Sequence, residues 1–231
     1  IKRMPVPKVV YVPIAQHIGI PSEIVVDRKD KVQKGQVIAK SGGFVSSNIH
    51  TPVAGTVTKL DMMVDSSGYK KQCIVIRTDQ KNESNFEEQD FPLKKEITMD
   101  QKDILKHITD SGIVGLGGAT FPSHVKLDLK NDNHVDCLII NGVECEPYLT
   151  ADHRLMLEKA DEIIVGIQIL MHALHINEAV IGIENNKKDA VTALKKAAQS
   201  DKRIKVAALQ VKYPQGSEKQ LIKAIIKREV P

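Results

Sequence analysis

The sequence predicts an α/β chain in which a small all-β domain precedes a mostly parallel α/β sandwich. Three observations lead there. Between Tyr11 and Arg77, short β-branched runs are separated by glycine-containing turns, the pattern of a compact sheet unit. From Val135 onward, strand-like and helix-like runs alternate, as βαβ units require. Between the two, residues 79–103 hold eight acids against four lysines, with almost no periodic apolar pattern before Ile104, which reads as a solvated connector. The expected division is residues 1–78, 79–103 and 104–231.

In the first part, strands are expected at 24–26, 36–39, 56–59 and 74–77. The breaks between them fall at Lys34-Gly35, Ser41-Gly42-Gly43 and Ala54-Gly55, where glycine lets the backbone turn tightly at little steric cost. Residues 24–39 and 49–57 form two similar halves, each with a glycine turn before a β-branched strand. This arrangement resembles the barrel-sandwich hybrid fold of biotinyl and lipoyl domains. Those carriers present a modified lysine on an exposed hairpin, but the intervening hairpin here, residues 41–48, has none. The resemblance therefore implies a scaffold or docking module in place of a tethered cofactor. His17 and His50 have no ligand partner nearby in sequence and are expected in ordinary surface or turn roles.

The second part begins with a strand at 135–140, followed by a long helix at 154–174, a strand at 179–183, a helix at 187–198, a strand at 204–211 and a helix at 217–228. Crossover helices of that length cover both faces of a parallel sheet.

Composition limits the function classes. The 231 residues carry 33 Lys and Arg against 29 Asp and Glu, a net charge of +4, and 42% are hydrophobic, enough for real cores. With no Trp, four Phe and four Tyr, the cores rest on Val, Ile and Leu, and an aromatic stacking platform for nucleic acid is not expected. No stretch reaches the roughly 20 apolar residues of a membrane span, the longest being interrupted by Glu162, Gln168 and His172. The first residues lack the apolar region of a signal peptide, and the isoleucine start and Pro231 stop suggest an excised piece. Cys73, Cys137 and Cys145 are an odd number without CxxC spacing, so neither a disulfide framework nor a self-contained iron–sulfur cluster is expected.

Three loops carry the functional signal. The first is GIVGLGGATFP at 112–122, where Gly115, Gly117 and Gly118 let the main chain approach a flat or phosphorylated ligand, and successive N–H groups can converge on anionic oxygen. Pro122 then starts a helix through Ser123 and Lys126, adding a positive helix end. Plain turns also contain such glycine clusters. The loop precedes the first strand of the α/β part and lacks a Gly-Lys-Ser/Thr ending, so it matches neither a Rossmann fingerprint nor a Walker loop.

The second is NGVECEPYLTADHR at 141–154, placed beyond the carboxyl end of a parallel strand, where ligands of such sheets usually sit. If this loop is extended, Glu144 and Glu146 point the same way and are able to accept hydrogen bonds from ribose hydroxyls or a carboxamide. Asn141 either contacts ligand or caps the following turn. Glu144, Glu146 and Asp152 match no dedicated metal cage, and Cys145 has no histidine at a short spacing, although His153 is placed to fold back toward it. The third is YPQGSE at 213–218, where Gly216 and the following N–H groups suit a phosphate and Glu218 occupies the first helical turn, favourable to negative charge.

In this order the three strings, preceded by VPIAQHIG at 12–19, resemble the C subunit of Rnf electron-transport complexes across essentially the whole chain. More distantly, the chain is similar to the NADH- and FMN-binding subunit of respiratory complex I. There the glycine loop has arginine where this chain has Leu116 and glycine where it has Thr120, and Val143 stands in place of an aspartate. The resemblance implies an FMN and NAD(H) site drawing on Gly115, Gly117, Gly118, Lys126, Asn141, Glu144, Glu146, Gly216 and Glu218, with Lys126 near cofactor phosphate and the glutamates facing flavin or nicotinamide. It further implies two [4Fe-4S] clusters in a ferredoxin-like domain beyond Pro231. The parent would be a peripheral subunit on the cytoplasmic side of a bacterial membrane, partnered by other complex subunits and indirectly by ferredoxin, with Na+ or H+ movement coupled to redox chemistry. The rival expectation is a non-catalytic docking module. Its support is the last 37 residues, where ten basic side chains face three acidic ones, although a solvated helix face explains the same charge.

Overall fold

The computed structural model describes residues 4–65, 68–85, 91–116, 120–129 and 135–229. It forms two compact units, one of Ile1–Phe91 with Leu105–Leu129, the other of Pro92–Ile104 with Lys130–Pro231.

The first unit contains β1 (Val9–Pro13), β2 (Glu23–Ile24), β3 (Lys31–Val32), β4 (Val37–Lys40), β5 (Ile49–His50), β6 (Gly55–Val64) and β7 (Lys70–Thr78). They make two antiparallel sheets, ordered β1-β7-β6-β3 and β2-β4-β5. Val12 pairs with Ile74 and Val57 with Ile76, and these four join Val32, Ile38 and Ile49 in one aliphatic core. The expected barrel-sandwich β domain is thus present, built from Val and Ile as the composition requires. All four expected strands are found. β1, β3 and β5 are additional, and two-residue strands such as β3 and β5 are too short to leave a period-2 signature.

Asn85 ties a later segment to this unit. Its amide oxygen accepts the Ala54 N–H at 2.7 Å, and its NH2 group donates to the carbonyls of Ala54 and Asp79. Helix α1 (Gln101–Asp110) carries the division between the units at Ile104 and Leu105, and the short α2 (Ser123–Leu127) belongs to the first unit.

The second unit contains β8 (Leu138–Gly142), α3 (Ala151–Glu158), α4 (Ala160–Leu174), β9 (Ala179–Glu184), α5 (Lys188–Ala197), β10 (Ile204–Leu209) and α6 (Glu218–Ile226). Its three strands are parallel, ordered β10-β9-β8, with Ala179 opposite both Leu138 and Ile204. The central strand is buried along its whole length, which is why it reads as a continuous apolar run instead of an alternating one. Its alternate residues serve different layers. Ala179, Ile181 and Ile183 share a core with Ile164, Ile167 and Met171 of α4 and Leu194 of α5. On the other face, Gly182 lies under Leu221 and Ile225 of α6. The expected parallel sandwich with helices on both faces is therefore what forms.

One expected element divides. The helix read at 154–174 starts earlier, at Ala151, and breaks at Lys159, whose φ of −129° and ψ of 31° are not helical. Met156 before the break and Ile164 after it belong to the same core, so apolar periodicity runs across the break without registering it.

Candidate functional site

In the second unit, the loops leaving β8 and β10 are stitched together at the carboxyl ends of the strands. Asn141, near the end of β8, donates from Nδ2 to the Gly216 carbonyl at 2.8 Å, while its Oδ1 accepts the Val143 N–H at 3.1 Å. Of the two expectations for Asn141, the turn cap is what forms, and the same amide also latches a second loop, which neither expectation included. Gly216 fits that contact closely. A Cβ at this position would lie 3.1 Å from Cys145 Sγ and 3.2 Å from the Val143 carbonyl oxygen. Its missing side chain makes room for Cys145 and Val143.

Glu144 and Glu146 do not share an environment. Glu144 is 6% exposed and its two oxygens accept the N–H groups of Asp152 and His153, at 2.9 and 3.4 Å. It thereby caps α3, whose own N-cap residue, Thr150, makes no side-chain cap bond. Glu146 is exposed, because the chain turns after Cys145 instead of continuing extended. His153 pairs with Asp189 at 2.8 Å, not with Cys145.

Behind Glu144 lies a buried ionic group that the sequence reading missed. Lys187 donates to the Glu144 carbonyl oxygen at 3.2 Å, lies 3.9 Å from the Glu144 carboxylate, and is ion-paired with Glu184, the last residue of β9. Glu184 is 1% exposed, and its second oxygen, Oε1, has no hydrogen-bond donor among the described residues. Gln215 Oε1, in the loop after β10, is likewise buried without a donor. The available signal was two charged residues three apart, closing the otherwise apolar run of β9. Asp152, whose N–H donates to Glu144, borders this group. Partial burial and the nearby Glu144 raise its pKa, against a smaller lowering by Lys187.

In the first unit, the glycine segment is closed at its base by a bridge between Val114 and Pro122 and by the Gly115 N–H donating to the Phe121 carbonyl at 2.9 Å. Gly117 and Gly118 lie outside the described residues. Pro122 does precede a helix, but α2 has only five residues, and the N–H groups of Ser123 and Val125 already donate to Ile113 and Pro122. Those backbone donors, with that of Gly115, are used within the protein. Lys126 lies on α2 with its ammonium 5.8 Å from the Phe121 ring centre. At Gly115 an added Cβ would meet, among the described residues, only Phe121 O at 3.8 Å, an ordinary contact distance. Glu218 is exposed in the first turn of α6.

The family model of the Nuo51 FMN-binding domain matches residues 108–231. The chain belongs to that family. The family model of the RnfC barrel sandwich hybrid domain matches residues 1–81. The chain is 46% identical over 230 residues to the C subunit of the proton-translocating ferredoxin:NAD(+) oxidoreductase complex of Clostridium ljungdahlii, covering 98% of this chain and 49% of that protein. It is 43% identical over 228 residues to the C subunit of the Na(+)-translocating complex of Acetobacterium woodii, covering 97% of this chain and 50% of that one. With the C subunit of the ion-translocating oxidoreductase complex of Rhodobacter capsulatus it shares 41% identity over 234 residues, 44% of that protein's length. The chain thus spans about half the length of the curated relatives it matches. The Rnf and complex I resemblances both hold. No described helix is long and apolar enough to cross a membrane.

Taken unit by unit, the features compatible with a nucleotide are the missing side chain of Gly115 and the positive charge of Lys126 in the first, and in the second the buried Oε1 atoms of Glu184 and Gln215, which have no donor among the described residues.

Proposed function

We propose that this chain is the NADH- and FMN-binding portion of a membrane-associated ferredoxin:NAD oxidoreductase, with onward electron transfer coupled to Na+ or H+ translocation in the full complex. The observation that carries the reading is the match of residues 108–231 to an FMN-binding domain, combined with loops at the ends of parallel strands, where such sheets bind ligands. When bound, FMN would supply a hydride acceptor able to release electrons one at a time. The protein's part is binding and orientation. In the first unit the assigned contacts are Gly115, Gly117 and Gly118, as positions of close approach, and Lys126, as the cation for phosphate. In the second they are Asn141, Glu144, Glu146, Gly216 and Glu218.

Within this reading the hydrogen bonds support different roles for them. Asn141, Gly216 and Glu144 act as positioning residues, since their polar or steric capacity is taken up by Val143, Cys145 and the start of α3. Glu146 and Glu218 remain exposed and keep direct contact roles. The [4Fe-4S] clusters would belong to the part of the parent outside this chain, and membrane association would come through other subunits on the cytoplasmic side.

Addition of FMN to the chain should give saturable binding with a perturbed flavin absorption spectrum, bleached on anaerobic addition of NADH. Gly117→Val should weaken FMN binding without altering hydrogen-exchange protection of the β strands in the first unit. Absence of flavin binding, with affinity for other complex subunits retained, would assign the chain as a docking module instead.

A further inference from the structure

We propose that the N-terminal β module is part of the cofactor site, with His50 and Gln16 hydrogen-bonding the ribityl or ribose hydroxyls of the nucleotide held at the glycine loop. This rests on the function proposed above and extends it to residues with no assigned role.

The starting observation is where residues 105–129 fold: the glycine segment belongs to the same compact unit as the β strands. Its attachment is specific. Gly112 has φ of +65°, and a Cβ there would lie 2.3 Å from the Asn48 carbonyl oxygen, so only glycine permits both the turn and the contact. Asn48 Nδ2 donates to the Asp110 carbonyl at 3.2 Å, and on the far side of the loop the His124 ring lies 3.2 Å from the Phe44 carbonyl oxygen.

Beside the contact of Gly112 with Asn48 is a cavity of about 190 Å³, lined by Gln16, His17, Asn48 and His50 of the β module and by Leu116 and Thr120 of the glycine segment. Its size falls below the roughly 300 to 1,000 Å³ of a site enclosing a whole drug-sized ligand, so it admits one part of a nucleotide. Among the described residues no Lys, Arg, Asp or Glu lines it, which disfavours a phosphate and suits neutral groups that both donate and accept.

Most of its polar walls are already committed. The His17 ring contacts the Ile18 carbonyl, the Ser22 hydroxyl and the Ser47 N–H. Asn48 is taken up by Ser41 and Asp110. Gln16 donates to the Pro13 carbonyl through its NH2 group, leaving its side-chain oxygen to accept, and His50 makes no ring hydrogen bond among the described residues. Among the described lining residues, Gln16 and His50 thus keep capacity for a ligand, while Thr120 has an interaction of its own. Hydroxyl groups match it, since each donates to one partner and accepts from another.

Lumiflavin, which has the flavin ring without the ribityl phosphate, separates these contacts from ring binding. In the full chain, His50→Ala and Gln16→Ala should each weaken FMN binding about three- to tenfold, the range of one lost hydrogen bond, and leave lumiflavin affinity and melting temperature unchanged. The His50 imidazole NMR resonances should shift on addition of FMN and stay fixed on addition of lumiflavin. Unchanged FMN affinity in both variants, or equal weakening toward both flavins, overturns the inference while the FMN-binding reading stands. Failure of the unaltered chain to bind FMN at all overturns that reading and this one with it.

Discussion

Lys187 shows how much of the site chemistry depends on one side chain. It is the cation beside two buried carboxylates, Glu144 and Glu184, and it reaches the Glu144 backbone as well. Removing one partner of such a group leaves uncompensated charge in a poorly solvated place. Lys187→Met should therefore lower unfolding free energy by about 3–5 kcal/mol in urea denaturation, with Glu184→Gln in the same chain recovering part of the loss. A full-size loss in the double variant would mean that the lysine acts through packing instead. Asp152 gives a pH-dependent counterpart. Because its pKa is raised in the folded chain, the folded state binds that proton more tightly than the unfolded state does, and the favourable contribution is present at low pH and lost as pH rises through the folded pKa. Asp152→Asn should raise the melting temperature at pH 7, by an amount limited by the side chain's exposure, and the gain should vanish near pH 3. A gain that persisted at pH 3 would assign the effect to something other than charge. Asn141 and Gly216 were legible as loop-forming residues from their types, but the bond that joins them spans 75 positions and has no local signature.

At the scale of elements, the layered part follows from β9. Its alternating residues face two different helix layers, and at Gly182 the side chains of α6 approach closely. A Cβ there would sit 2.8 Å from Leu221 Cδ1 and 3.0 Å from Ile225 Cδ1. Gly182→Val should displace α6 and cost about 1–3 kcal/mol, the range for overpacking, with amide exchange accelerating in α6 before the core face of β9. Uniform acceleration through the whole unit would contradict that layer assignment. The strands and helices of this part were readable in order because each spans several periods of its pattern. The break between α3 and α4 was not, because one residue with non-helical dihedrals leaves the apolar stripe intact.

At the scale of the molecule, the two units have separate aliphatic cores, one including Ile74 and Ile76, the other Ile181 and Leu194. Ile76→Ala and Leu194→Ala should each cost about 2–5 kcal/mol, and each should accelerate amide exchange chiefly in its own unit. Acceleration spread equally over both units by either variant would show a single cooperative fold. The sequence by itself determined the fold class of each part, the order along the chain of the strands in the parallel sheet and the family, since these rest on local periodicity, turn residues and short strings. Only the tertiary structure decided that Asp110, Gly112 and His124, flanking the glycine loop, pack on the β module, that Glu144 is spent on the start of α3, and that Lys187 and Glu184 are buried beside it. Those outcomes depend on contacts between residues far apart in the chain, and burial and hydrogen-bond partners are properties of such contacts, not of the residues that make them.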